Sequence, residues 1–196
     1  MAARSFAAAP GSVRITGGRI KGRKLDIPAG TGVRPTTDRA RETLFNVLIN
    51  RFRQPGGESV LSEARVLDAF AGTGALGIEA WSRGASSVAF VESDRNHGST
   101  LAANLQKAKL PATEHAITSD RSGLTAPFDL ILADPPYEQG AALVSALVSE
   151  TALWHAETLL VWERPRGSEG SLAGWETVHE TPSGKTVFAF LRPRKG

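Results

Sequence analysis

Apolar and polar positions change rhythm once along this chain. From Arg65 onward, short apolar runs alternate with stretches of helical period. Val66-Leu67-Asp68-Ala69-Phe70 reads as a strand, followed by a glycine turn and a helix through Ile78, Ala80 and Trp81 to Gly84. Val88-Ala89-Phe90-Val91-Glu92 predicts a second strand, and a helix follows from about Asn96 to Lys109. Glu114 to Thr118 and Asp129 to Asp134 supply two further strands, Ala141 to Glu150 a helix, and Thr158 to Trp162 a buried strand. Trp175 to Glu180 and Val187 to Leu191, around Ser183-Gly184, predict an antiparallel hairpin. Strands spaced by helices indicate an α/β fold with a mainly parallel sheet covered on both faces.

Upstream of Arg65 the periods are shorter. Val13-Arg14-Ile15-Thr16 and Lys24-Leu25-Asp26-Ile27 flank Gly17-Gly18 and a basic stretch, which predicts a β-hairpin around the glycine pair. Pro28 to Pro35 is a loop broken by Gly30, Gly32 and Pro35. Thr36-Thr37-Asp38 is a capping stretch, and the helix after it carries Ala40, Leu44, Val47 and Leu48 on one face to about Arg51. Gln54 to Ser59 is a second loop, and the Ala-rich first eleven residues are expected to form a disordered tail. A chain of 196 residues favours one main domain, here 36–196, with residues 12–35 as a small basic extension.

Charge sharpens that division. The first 53 residues hold eleven Lys or Arg against three acids, whereas the remainder holds twelve against seventeen. A basic front on an acidic body is the footprint of a polyanion partner, although a solvated basic face is the commoner meaning of such runs. Arg14, Arg19, Lys21, Arg23, Lys24, Arg34 and Arg39 are the candidates for gripping phosphates. The absence of cysteine excludes disulfides and thiolate chemistry and fits a cytoplasmic protein. Four scattered histidines make a metal centre unexpected, and no apolar run is long enough to suggest a membrane partner.

Two motifs carry chemistry. Gly72-Thr73-Gly74-Ala75-Leu76-Gly77 satisfies G-x-G-x-x-G between a strand and a helix, with Glu92 placed to take ribose hydroxyls at the end of the next strand. NAD and S-adenosylmethionine both suit that pattern. Asp68, just before the turn, would repel a pyrophosphate but can hold the ammonium of a methionine moiety, so charge favours S-adenosylmethionine. Phe70 and Gly74 belong to the same pocket, and Asp120 is either an adenine-amine contact or an exposed loop acid.

Asp134-Pro135-Pro136-Tyr137 closes the apolar run Leu130-Ile131-Leu132-Ala133. Neither proline can continue a sheet ladder, so the chain must turn at the carboxyl end of a strand, where open α/β sheets bind ligands. The Asp134 carboxylate and the Pro135 carbonyl can accept both N–H bonds of an exocyclic amine and direct its lone pair at an electrophile. Tyr137 can stack on the ring, a contact worth about 1–3 kcal/mol.

Together these residues resemble class I S-adenosylmethionine-dependent methyltransferases acting on exocyclic amines. Arg14-Ile15-Thr16-Gly17-Gly18, Gly22-Arg23-Lys24-Leu25, Arg34-Pro35-Thr36-Thr37-Asp38-Arg39 and Arg41-Glu42-Thr43-Leu44-Phe45-Asn46 narrow the likeness to the bacterial RsmD family, from about Val13 to Arg192. The resemblance implies a seven-stranded Rossmann-like sheet and an N-terminal hairpin that helps hold RNA. It also implies that Thr36, Thr37 and Asp38 contribute to the cofactor pocket. The implied substrate is the N2 amine of a guanine in 16S rRNA, presented by the small ribosomal subunit or an assembly intermediate to a monomeric enzyme. An adenine-N6 methyltransferase, an NAD-dependent oxidoreductase and a non-enzymatic RNA-binding factor are the rival readings.

Overall fold

The computed structural model describes residues 11–28, 36–54, 56–124, 127–168 and 170–195. Residues 1–10 of the tail expected over 1–11, and the loop residues 29–35, Arg34 among them, lie outside the described residues. A two-stranded hairpin, β1 (Ser12–Arg14) and β2 (Lys24–Asp26), precedes helix α1 (Asp38–Arg51). Then follow β3 (Arg65–Asp68), α2 (Ala75–Ser82), β4 (Ser87–Val91), α3 (Arg95–Ala108), β5 (His115–Thr118) and β6 (Phe128–Ala133). Helix α4 (Gly140–Ser149), β7 (Trp154–Pro165), β8 (Trp175–Ser183) and β9 (Thr186–Pro193) complete the order.

Strands β3 to β9 form one seven-stranded sheet in the order β5-β4-β3-β6-β7-β9-β8. Its first five strands pair in parallel, and β9 enters antiparallel between β7 and β8. Period-two alternation divides two cores. Val66, Leu130, Leu132, Leu159 and Val161 point to the face covered by α1, α2, α3 and the hairpin. Leu67, Ile131, Leu160 and Trp162 point to the face covered by α4. From β3 the chain builds outward first through β4 and β5, then returns to lay β6 and β7 on the other side. The switch between β3 and β6 opens a crevice at their carboxyl ends, and there Asp68 and Asp134 stand.

The structure departs from the sequence reading in three places. Strand β7 spans Trp154–Pro165, well beyond Thr158 to Trp162, because β9 pairs across Glu163, Arg164 and Pro165. Two charged residues ended the run in the sequence, yet both are buried. The glycine pair is a docking contact as well as part of the hairpin loop: Gly18 has φ +77°, and a Cβ there would lie 1.9 Å from the Ser82 carbonyl oxygen. The close approach lets Arg19 N–H donate to Ser82 O at 2.8 Å. Gly11, assigned to the tail, accepts from Ile27 N–H at 3.0 Å and so extends the hairpin.

The hairpin is anchored by buried polar groups as well as by Val13, Ile15 and Leu25 in the larger core. Glu79 on α2 is fully buried and accepts from Thr16 N–H (2.8 Å), Thr16 Oγ1 (2.7 Å) and Arg83 Nε (2.8 Å). On the other side, buried Asn104 on α3 accepts from Asp26 N–H at 2.8 Å. Its amide donates to Asp26 O at 3.0 Å and Thr73 O at 2.9 Å, tying β2 to the glycine turn.

Candidate active site

The glycine turn is built as its sequence requires. Gly72 and Gly74 adopt φ +54° and +78°, a region where a side chain is strained. A Cβ at Gly74 would meet Leu101 at 2.4 Å, and one at Gly77 would meet Phe90 at 2.4 Å, so helix α2 can lie against β4 and α3 only with glycines there. Glu92 braces the turn: one carboxylate oxygen accepts from Gly72 N–H at 2.7 Å and the other from Asp94 N–H at 2.7 Å. Its remaining lone pairs are free to take hydroxyls, consistent with a ribose. Asp68 is buried, with one oxygen accepting from Gly77 N–H at 2.8 Å. Burial pushes its pKa up to about 7, against the Gly77 bond and with a further push from Glu92.

Across the crevice, Asp134 follows β6 directly and is half-buried. Pro135 is buried beneath Gly140, while the Tyr137 ring is 60% exposed at the start of a short 3-10 turn leading into α4. Asp134, Thr36 and Arg41 line one cleft together with Phe70, Gly72, Thr73 and the end of the hairpin at Ile27 and Pro28. The structure thus brings the glycine turn, the proline turn and the exit of the basic hairpin to one place.

Asp134 has a neighbour that sequence reasoning missed. Glu163 is 6% exposed and stands one residue beyond Trp162, which pairs with Ala133. Thr36 Oγ1 bridges the two acids, 3.1 Å from Asp134 Oδ2 and 2.9 Å from Glu163 Oε2. Burial, then the charge of Glu163, pushes Asp134 up to about 8, while the Thr36 bond opposes this. Burial likewise raises Glu163, with the Thr36 and Thr186 hydroxyls opposing. The Tyr137 phenol is also raised, by burial and by the charges of Glu163 and Asp134. Among the described residues, no Lys, Arg or His forms an ion pair with Asp68, Asp134 or Glu163.

Thr37 and Asp38 stand behind Thr36. Thr37 caps α1 by accepting from Ala40 N–H, and Asp38 accepts from Arg14 N–H and the Arg41 guanidinium. Arg41 is fully buried, donating to Thr36 O at 2.6 Å and Arg14 O at 2.7 Å, while its Nε has no partner among the described residues. It was hidden in the sequence because a charged residue on a helix normally marks the solvent face.

The basic candidates divide. Arg14, Lys21, Arg23, Lys24 and Arg39 are exposed, and none forms an ion pair among the described residues. Arg19 is otherwise engaged: its guanidinium donates to Trp81 O at 2.8 Å and Ala85 O at 3.3 Å and lies 4.0 Å from the Trp81 ring centre. Trp81 lies in the last turn of α2, so the cation caps that end and ties the hairpin to it. Asp120 lies just past β5 on the cleft side of the sheet, but its carboxylate is turned into a local loop, accepting from Ser122 N–H at 2.8 Å. Those Ser122 bonds hold its pKa below the usual value.

Known proteins share this arrangement. The chain matches the family described as Conserved hypothetical protein 95 over residues 13–192. It is 35% identical over 185 residues to Ribosomal RNA small subunit methyltransferase D of Escherichia coli K12, covering 91% of this chain and 88% of that one. The Haemophilus influenzae protein of the same name is 39% identical over 136 residues, 66% of each chain. Among solved structures, Escherichia coli yhhF superposes with a TM-score of 0.76 at 32% identity, covering 95% of this chain and 100% of that one. A hypothetical protein of Thermus thermophilus superposes with a TM-score of 0.72 at 26% identity, covering 91% and 98%. Fold and sequence agree on one lineage, and the chain belongs to the RsmD family of class I methyltransferases.

Proposed function

We propose that this protein transfers a methyl group from S-adenosylmethionine to the exocyclic N2 of a guanine in small-subunit rRNA. The observation that carries the reading is the position of Asp134: half-buried at the end of β6, in a cleft shared with the glycine turn and the end of the basic hairpin. The lining suits a zwitterionic, cationic cofactor. Asp134 lines the cleft and Asp68 stands behind the glycine turn, and neither forms an ion pair among the described residues. A pyrophosphate would meet the Asp68 side of the turn with the wrong sign, which favours S-adenosylmethionine over NAD.

When bound, that cofactor supplies a methyl group already activated by its sulfonium. The protein's own part is to hold and orient the acceptor. Asp134 and the Pro135 carbonyl accept the two amine N–H bonds, and Tyr137 stacks on the base. A charged hydrogen bond contributes about 1.5–3 kcal/mol, and alignment of the reacting atoms about 7–11 kcal/mol. The amine sheds a proton as it is alkylated, and the ionised form of Asp134, which accepts its N–H, is placed to take it. Arg14, Lys21, Arg23, Lys24 and Arg39 supply the phosphate grip beside the cleft.

Incubation with labelled S-adenosylmethionine and unmethylated small subunits or free 16S rRNA, followed by nucleoside digestion, tests this. N2-methylguanosine is the expected product. N6-methyladenosine, or no transfer with normal RNA binding, would replace the reading with an adenine-directed enzyme or a non-enzymatic factor.

A further inference from the structure

We propose that Glu163 is the group that selects guanine, by accepting its ring N1–H while Asp134 holds the neighbouring N2 amine. The inference rests on the guanine-N2 reading above and assigns that site's base selectivity to one residue.

Glu163 has the position. The register of β6 with β7 pairs Ala133 with Trp162, so Asp134, just past the end of β6, and Glu163, still within β7, stand side by side, with Asp134 lining the cleft and Glu163 behind the shared Thr36 hydroxyl. Both lie within hydrogen-bond reach of one hydroxyl, Thr36 Oγ1. A hydroxyl has a single hydrogen to donate. Two ionised carboxylates cannot both be satisfied by it, so the pair without substrate retains a proton, as their raised pKa values also indicate. Among the described residues the pair is served by hydroxyls and its own proton, with no N–H donor from the chain.

Glu163 is not neutralised in the way a structural acid is. Buried Glu79 is given Arg83 and two further donors, whereas Glu163 is given hydroxyls alone. A ligand offering several N–H groups in a row is therefore complementary to it. The Watson–Crick edge of guanine carries N1–H beside the N2 amine, a continuous run of donors for two adjacent acceptors. Adenine carries a bare ring nitrogen beside its amine, and a carboxylate facing that nitrogen would meet lone pair with lone pair. A site built to hydrogen-bond a substrate N–H discriminates strongly against an analogue lacking it, because its own polar group is left unpaired.

2-Aminopurine separates the two contacts, since it keeps the N2 amine and lacks the N1 hydrogen. Small subunits are reconstituted with ligated 16S rRNA carrying guanine or 2-aminopurine at the nucleotide the enzyme methylates, and kcat/KM is measured for both. The wild type should prefer guanine by about 10²-fold or more. Glu163→Gln keeps the shape, and its amide can turn a donor toward a bare nitrogen. It should lose about tenfold or more on guanine, gain on 2-aminopurine, and bind S-adenosylmethionine as before in calorimetry. The ratio of the two substrates does not depend on the fraction of enzyme that is active. A merely structural Glu163 would slow both substrates equally on substitution, and that result overturns the inference. So would a wild type indifferent to the N1 hydrogen, a result that needs no variant. N2-methylguanosine formed with an unaltered ratio would remove Glu163 alone; N6-methyladenosine would remove the guanine reading with it.

Discussion

Acids away from bulk solvent are treated in two opposite ways on this chain. At the hairpin dock, Glu79 is sealed in and supplied with an arginine, a hydroxyl and a backbone N–H. At the cleft, Asp134 and Glu163 share one threonine hydroxyl, and no cation pairs with them among the described residues. Burying a charge without a partner disfavours the folded state, so a stable protein tolerates it chiefly where a ligand completes the set. The dock is satisfied by the chain itself, and the cleft is left to be completed from outside.

The largest expected effect breaks the satisfied side. Glu79→Ala strands Arg83 and the Thr16 donors and should lower stability in urea denaturation by about 3–5 kcal/mol. Glu163→Leu, which removes an acid with no cation, should leave stability level or higher; equal losses in both variants would end the contrast. Next, Asp134→Ala should slow methyl transfer at saturating S-adenosylmethionine by about 10²-fold or more, measured by single-turnover kinetics. Unchanged turnover would remove Asp134 from the reaction.

The sign of the pH dependence follows from the raised Asp134 value. Between its ordinary pKa of 3.8 and about 8, the folded protein holds a proton that the unfolded chain has released. Stability from this group is therefore complete below 3.8 and declines as pH rises through about 8. Asp134→Asn should flatten that decline by at most about 1.4 kcal/mol per pH unit, read from urea midpoints across the range. The smallest effect separates the two kinds of basic residue. Arg14→Ala, Arg23→Ala and Lys24→Ala together should lower the salt slope of RNA binding by about 0.7 for each phosphate no longer neutralised. Arg19→Ala should loosen the hairpin in hydrogen exchange and leave that slope nearly unchanged.

Much of the architecture was legible because its signals are local. Continuous apolar runs such as Leu130 to Ala133 identify strands buried on both faces, and the glycine turn and proline turn fix where the chain must bend. The site was legible only in part. Asp134 and Glu92 are flagged by neighbours in sequence, whereas Glu163 sits in a charged pair that reads as the end of a strand. Arg19 and Arg41 read as solvent-facing charges in a basic run, and only packing turns them onto the carbonyls of Trp81 and Thr36. The expectation for Thr37 and Asp38 came from resemblance; in the structure Thr37 caps α1, Asp38 holds Arg14 N–H and Arg41, and Thr36 lines the cleft.

By itself, the order of residues determined which segments extend, which coil, and where backbone geometry demands glycine or proline, since steric limits act within a few residues. It also set the basic front apart from the acidic body. Only the tertiary structure decided which charges meet. The β6–β7 register puts Glu163 beside Asp134, and the start of α1 brings Thr36 between them from 98 residues away. Hydrogen bonds and burial energies depend on distances through space, and those are fixed only once the sheet has closed around its switch point.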